Sequence, residues 1–333
     1  MNPKQLISHL STIIDADQKI PLFIWGPPGI GKSSIVSAIA QERGLEVVDL
    51  RLGQIPPADL RGLPCVVEGQ SRYARPEWLR SEGRGILFLD ELPNAVPSVQ
   101  GLSQQLLLDR RIGEHKLGDG WFIIGAGNGR EHGAAVHAMP SPVANRMIHF
   151  HLEADLEAWK TYAIARGLHE DVVGFVSFRP ELLFKLERRE MAYPTPRSWE
   201  MASQLHTLGM AVGACVGDAV AQEFRVYCDT VADLPELSEI LQGNGAGIAF
   251  PGEVSAQYAV CVGLAMRSDD EHQALHAFEW LNSVTGPEWV KTYISDAMTR
   301  LQSRQRFGAF AAMVHTNPRL GEFVEKVITQ VVA

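Results

Sequence analysis

Between residues 20 and 154, short apolar runs alternate with segments whose apolar residues recur at helical spacing. The runs are Ile20–Trp25, Leu45–Leu52, Gly85–Leu92, Trp121–Asn128 and Met147–Leu152, and the segments between them include Ser33–Arg43 and Val96–Asp109. Near-continuous apolar strands separated by helices predict a parallel five-stranded sheet covered on both faces, an α/β domain over residues 1–154. An amphipathic helix precedes it, with Leu6, Leu10, Ile13 and Ile14 on one face. Two excursions interrupt the rhythm. Within residues 53–84, the stretch from Leu63 to Ala74 predicts a hairpin about Gly69-Gln70, and residues 111–127 predict a second about Gly118-Asp119-Gly120. After residue 154 the strand signal fades. Asp155–Arg166, Glu170–Phe178 and Arg197–Met210 read as helices, followed by a glycine-rich helix around Gly209–Gly217. Gly243-Asn244-Gly245-Ala246-Gly247 reads as a linker or loop, and residues 253–333 as several more helices. The domains expected are 1–154, 155–230 and 231–333.

Composition narrows the class of protein. The 46% hydrophobic and 21% charged content is that of a soluble globular chain, and no run approaches the about 18 apolar residues of a membrane span. The N-terminus lacks a secretory apolar core, which leaves the cytoplasm as the expected compartment. Cys65, Cys215, Cys228 and Cys261 are scattered without a C-x-x-C pair, so buried free thiols are expected rather than a disulfide framework or zinc site. A net charge of −9 argues against a nucleic-acid groove.

The sharpest signal is Gly26-Pro27-Pro28-Gly29-Ile30-Gly31-Lys32-Ser33, which fits G-x-x-x-x-G-K-[ST] at every fixed position. It falls between a strand and a helix, as that motif requires. Glycines let several backbone N–H groups converge on phosphates, and the helix N-terminus adds a favourable dipole. Lys32 would reach the β- and γ-phosphates, the Ser33 hydroxyl would hold Mg²⁺, and Ser34 follows in the helix. In Ile86-Leu87-Phe88-Leu89-Asp90-Glu91, four apolar residues place two acids at the carboxyl end of a strand, where α/β sheets bind ligands. Asp90 would hold Mg²⁺ and Glu91 would orient or deprotonate the attacking water. Asn128 ends another apolar strand, and its amide can both donate to and accept from water or the γ-phosphate. Gly125-x-Gly127-x-Gly129 lacks the last glycine offset of a dinucleotide fingerprint. His149 with His151, and His272 with His276, lack a third ligand or an H-E-x-x-H pattern, so ordinary core or surface histidines are expected.

The order of phosphate loop, Leu-Asp-Glu strand, strand-end Asn and then Pro140-Ser141-Pro142-Val143-Ala144-Asn145-Arg146-Met147 resembles the AAA+ ATPases. Within them it most resembles the MoxR branch, which includes the CbbQ and NorQ type activators. Asp59-Leu60-Arg61-Gly62-Leu63-Pro64 and Ala74-Arg75-Pro76-Glu77-Trp78-Leu79 are similar to that branch's helix-2 insert, and Pro194-Thr195-Pro196-Arg197-Ser198-Trp199 to its sensor-2 segment. The resemblance covers roughly residues 20–210. It implies a P-loop AAA+ sheet flanked by helices, then a helical lid over 155–230; residues 231–333 find no counterpart. It gives Lys32 and Ser33 the Walker A roles, Asp90 and Glu91 Walker B, Asn128 sensor 1, Arg146 an arginine finger for a neighbouring subunit, and Arg197 sensor 2. Arg110 and Arg111 are candidates for a second interface arginine. Tyr73 and Trp78 either touch a partner from the insert or pack it onto the sheet. The implied cofactors are ATP and Mg²⁺. The implied assembly is a hexameric ring that remodels a client protein, with a von Willebrand factor A-type or other metal-binding adaptor. A nucleic-acid-directed motor and a nucleotide-controlled scaffold with little turnover are the alternatives.

Overall fold

Each apolar run of the first half becomes a strand of one sheet. The computed structural model describes residues 1–129, 139–187, 190–231 and 236–316, and the chain divides into two units, Met1–Asp155 and Leu156–Ala333. The first unit runs α1 (Pro3–Asp15), β1 (Leu22–Trp25), α2 (Lys32–Glu42), β2 (Glu46–Arg51), α3 (Pro57–Arg61), β3 (Pro64–Val67), β4 (Gln70–Tyr73), β5 (Gly85–Asp90), α4 (Pro97–Asp109), β6 (Arg111–Ile112), β7 (His115–Lys116), β8 (Trp121–Gly127), α5 (Ser141–Ala144) and β9 (Ile148–His151).

The five-stranded sheet has the order β2-β5-β8-β1-β9, with every pairing parallel. Its centre is apolar throughout: β8 is buried at all positions, and β5 is buried until Asp90. Trp121 is fully buried and satisfies its indole N–H on Glu82 O at 2.8 Å, as an aromatic with a polar handle must. Around it pack Phe23, Leu87, Leu89, Leu106 and Ile123. Register aligns Trp25 with Gly127 on one side and His151 on the other, so the carboxyl ends of the strands open at one edge. The α1 helix opens with a capping box between Asn2 and Gln5 and buries Leu6, Leu10 and Ile14, while Ile13 is only half-buried.

Both hairpins differ from expectation. The first closes about Glu68-Gly69, one residue earlier than Gly69-Gln70, with φ of 51° and 77°. Positive φ at both central positions is the type I′ geometry whose twist matches a two-residue hairpin, and Glu68 takes the strained place so that Val67 can pair with Gln70. The second is the short β6–β7 pair about Gly113-Glu114, not Gly118-Asp119-Gly120. Those glycines lead into β8: Gly118 N donates to Arg80 O at 2.8 Å, and a Cβ on Gly120 would stand 2.3 Å from Gly83 O. Close backbone approach, rather than a hairpin turn, is what they serve.

The second unit is helical: α6 (Leu156–Arg166), α7 (Glu170–Phe178), α8 (Pro196–Thr207), α9 (Gly213–Val216), α10 (Asp218–Val231), α11 (Leu237–Leu241), α12 (Val254–Arg267), α13 (Glu271–Val284), α14 (Pro287–Ser303) and α15 (Phe307–Thr316). The α8 helix ends three residues before the expected Met210, and Gly209 then turns left-handed at φ 71°. One core gathers Val260, Leu264, Phe278, Leu281, Tyr293 and Leu301 from α12, α13 and α14. Phe175, Trp199, Phe224 and Tyr227 form an aromatic cluster between α7, α8 and α10. A buried ion pair joins α6 to α14, Lys160 Nζ to Asp296 Oδ2 at 2.9 Å. Burial works against the charged lysine, but the Asp296 and Glu157 carboxylates act together with the hydrogen bond to Asp296 to hold the ammonium above its usual range. Helices from before and after residue 231 therefore share one unit. Gly243–Gly247 is a loop within it, with a Cβ on Gly245 only 2.7 Å from the Trp280 ring. Among the described residues no helix is long and apolar enough to cross a membrane.

Candidate active site

The phosphate loop is pinned at its base from both sides. Gly26 N donates to Gly127 O at 3.2 Å, and Leu152 N donates to Trp25 O at 2.8 Å. A Cβ on Gly26 would lie 2.6 Å from Ile30 Cδ1 and 2.9 Å from Leu152 O, so the loop closes on itself only with glycine there. Gly29 and Gly31 take φ of 77° and 98°, the left-handed region that glycine enters freely. The curl ends where α2 begins at Lys32, which directs the unpaired N–H groups of the first helical turn toward the loop. Pro27 and Ile30 are buried, Pro28 is half-buried, and the Ser34 side chain faces solvent.

The predicted catalytic side chains form a connected network. Buried Lys32 donates from Nζ to Gly26 O (2.8 Å), Pro27 O (2.9 Å) and Asn128 Oδ1 (2.8 Å). Ser33 Oγ donates to Asp90 Oδ2 at 3.2 Å, and Asp90 Oδ1 accepts from Glu91 N at 2.9 Å. Neighbouring ligand oxygens around octahedral Mg²⁺ stand about 2.9 Å apart, given Mg–O distances of about 2.0–2.1 Å. Ser33 and Asp90 thus present a hard-oxygen edge of the right size for that ion, beside the glycine-rich loop. Glu91 sits in the left-handed region at φ 56° and ψ 28°, with its carbonyl accepting from Asn94 N at 2.8 Å. Such backbone costs about 1–3 kcal/mol for a residue with a Cβ and gathers at functional sites.

The arginines are placed differently. Arg146, half-buried in the same unit, bonds through Nη1 to Pro142 O within its own turn and not to the Lys32–Asp90 network; its Nε is buried without a partner among the described residues. Arg197 lies on the second unit, exposed in the first turn of α8 behind a Thr195–Ser198 capping box. Arg110 is a structural residue: its Nη2 donates to Gly118 O (2.9 Å) and Trp121 O (2.6 Å), and burial lowers its guanidinium pKa. Arg111 donates from Nε to Gly113 O at 2.8 Å, within the β6–β7 turn.

Sequence reasoning missed Asp49. Burial, and then the Asp90 carboxylate, push its carboxyl up, so it shares the electrostatic neighbourhood of the acid pair. Its only sequence signal is the placement of β2 beside β5, which the alternation of strands and helices does not fix. In the insert, both aromatics pack. The Tyr73 ring lies under Arg61 at 4.2 Å, and Trp78 rests against the core and donates to Asp59 O at 3.4 Å. The exposed large apolar residues there are aliphatic instead: Leu63 at 63%, Val66 at 78% and Val67 at 44%. His149 accepts from Trp25 Nε1 at 2.9 Å and faces Ala144 O through its other nitrogen at 2.8 Å, while His276 Nδ1 lies 2.9 Å from Leu241 O.

A parallel sheet with this loop after its first strand and an acid pair at the end of a central strand defines a P-loop nucleotide-binding domain. Residues 22–148 match the family described as "ATPase family associated with various cellular activities (AAA)", and the first unit is accordingly an AAA ATPase domain. The chain is 33% identical to midasin of Giardia intestinalis over 144 residues, 40% of this chain and 3% of that protein. It is 33% identical to the human ATPase family gene 2 protein homolog B over 113 residues, 31% of this chain and 14% of that one. The chain thus spans only a small fraction of the length of these curated relatives. Among solved structures it is similar to the Thermotoga maritima RuvB Holliday junction branch migration motor, at 17% identity and a TM-score of 0.41, covering 80% of this chain and 82% of that one.

Proposed function

We propose that this chain hydrolyses ATP with Mg²⁺ and, assembled as a hexameric ring of MoxR type, uses the cycle to remodel a partner protein. The observation that carries the reading is the network joining Lys32 to Asn128 and Ser33 through Asp90 to Glu91. In it Lys32 binds the β- and γ-phosphates, while Ser33 and Asp90 hold the metal, which supplies charge neutralisation on the phosphates. Glu91 accepts a proton from the attacking water, and Asn128 orients that water or the γ-phosphate. Two arginines complete the site by the family resemblance: Arg146 in trans and Arg197 from a lid. Phosphoryl transfer leaves the protein mostly positioning and charge stabilisation, so late-arriving arginines can gate it. A finger in trans requires head-to-tail contacts, which a ring closes. The exposed Leu63, Val66 and Val67 of the insert support a protein-facing surface, since loops on a rigid scaffold carry binding function. A von Willebrand factor A-type adaptor is the partner that this branch would use.

The test measures steady-state ATP turnover of the purified chain. Lys32→Ala and Glu91→Gln are each expected to lower it about 100-fold or more; unchanged turnover in either refutes the assignment. Mixing Arg146→Ala with Glu91→Gln subunits is expected to restore activity that neither has alone, and no recovery removes the trans role. Stimulation by DNA or RNA that falls steeply with salt, in place of stimulation by protein, would move the chain to the nucleic-acid class.

A further inference from the structure

In the second unit, far along the chain from the phosphate loop, two helices bring together a set of metal-type ligands that no nucleotide role absorbs. His169 is the N-cap of α7, and its Nδ1 accepts from Asp171 N at 3.2 Å. Its backbone N donates to Ser203 Oγ at 2.7 Å, which ties it to α8. Asp171 lies in the first turn of α7, and His206 in the last turn of α8. Asp171 Oδ2 stands 2.8 Å from His206 Nε2 and 3.5 Å from His169 Nδ1. The two imidazoles meet edge to face at 4.4 Å, and one ligand atom from each residue lies within 4.8 Å of the other two.

These spacings are those of a metal's coordination edge. Four ligands held tetrahedrally at about 2.0–2.1 Å lie about 3.3 Å from one another, and 2.8 and 3.5 Å bracket that value. The side chains are 24–31% exposed, wet enough to exchange an ion and buried enough to hold one. A second observation points to a ligand. Asp171 also lines a cavity of about 470 Å³ with Glu170, Tyr227, Cys228 and Arg267. The Tyr227 hydroxyl there is buried and has no hydrogen-bond partner among the described residues. A water completing a metal's coordination would fit such a cavity and such an orphaned hydroxyl. Glu170 does not compete for the ion, because it is paired with Arg267 at 2.9 Å.

We propose that His169, Asp171 and His206 bind a divalent transition metal, with zinc the ion their nitrogen and oxygen donors fit, and that it fastens the start of α7 to the end of α8. The ion takes the Nδ1 lone pair that His169 otherwise offers to Asp171 N–H, so coordination replaces a capping bond. The plain alternative is a capping histidine beside a hydrogen-bonded His–Asp pair, with no ion.

The experiment uses the full chain, stripped of metal and free of nucleotide, at pH 7.5. Co²⁺ is titrated and followed by its visible absorption, and Zn²⁺ binding is measured by competition against it and by calorimetry. The expected result is one equivalent with the intense band of four-coordinate cobalt, which an all-oxygen site such as Ser33–Asp90 would not give. His169→Asn keeps a capping acceptor but removes the imidazole, and His206→Gln keeps a polar side chain. Each is expected to weaken Zn²⁺ binding about tenfold or more, while His272→Gln, at an exposed position of α13, leaves it unchanged. If His206→Gln does not fold by circular dichroism, His169→Asn decides. Absence of the cobalt band, or a smaller loss of affinity in His169→Asn, overturns the proposal.

Discussion

Glu91 shows how a single backbone angle can be set by chemistry. Its φ of 56° puts a side-chain-bearing residue where glycine is at home, held by Asp90 Oδ1 on its N–H and by Asn94 N on its carbonyl. Local strain of about 1–3 kcal/mol is opposed, in a glycine variant, by about 0.5–1 kcal/mol of extra chain entropy. Glu91→Gly should therefore melt no lower than the wild type while losing turnover to the level of Glu91→Gln; a clear fall in melting temperature would mean that the conformation is not strained. The placement of these residues was the most legible part of the sequence, because Lys32 and Ser33 close a fixed glycine pattern at the start of a helix and Asp90, Glu91 and Asn128 follow apolar runs that announce strands. Arg110 was not, since a basic residue after a helix reads the same whether it faces a neighbour or, as here, holds Gly118 O and Trp121 O. For Tyr73 and Trp78 the sequence left two readings open: aromatic character says what a side chain can do, and packing decides that Leu63, Val66 and Val67 are the exposed apolar set.

At the scale of elements, periodicity located the five strands and the main helices, and failed at turns. Glycines mark places of unusual backbone without saying which kind. Gly69 completes a type I′ turn, Gly120 allows close contact with Gly83, and Gly113 opens the real β6–β7 turn. Strand order was likewise beyond local pattern, which is why Asp49 went unseen beside Asp90. The helices of the second unit hold an element-scale weak point, the buried Lys160–Asp296 pair between α6 and α14. Removing one partner strands a charge in the core. Asp296→Ala should cost about 3–5 kcal/mol of unfolding free energy in denaturant titration, and adding Lys160→Met with Asp296→Leu should recover most of it. A single-variant loss below about 1 kcal/mol would show that the remaining lysine reaches water.

For the whole molecule, two apolar clusters among the described residues each lie on one side of the division at Asp155. One is drawn from residues between Phe23 and Met147, the other from Leu237 to Phe310. Each unit has a core of its own, as an independently folding domain requires. Met1–Asp155 and Leu156–Ala333, expressed separately, should each give a cooperative melt; a fragment with helical circular dichroism but no cooperative transition would show that its core depends on the other. Nothing in the sequence marks residue 231 as a boundary of packing, and the helices on either side of it share α12 and α14 as neighbours.

The bond from Leu152 N to Trp25 O has a mechanical side. It fastens the chain's exit from the first unit to the peptide immediately before the phosphate loop, and a Cβ at Gly26 would lie 2.9 Å from Leu152 O. The second unit begins at Leu156. Between the phosphate loop's anchor and the start of the second unit the chain is therefore only a few peptides long, a tether whose length is covalent and fixed.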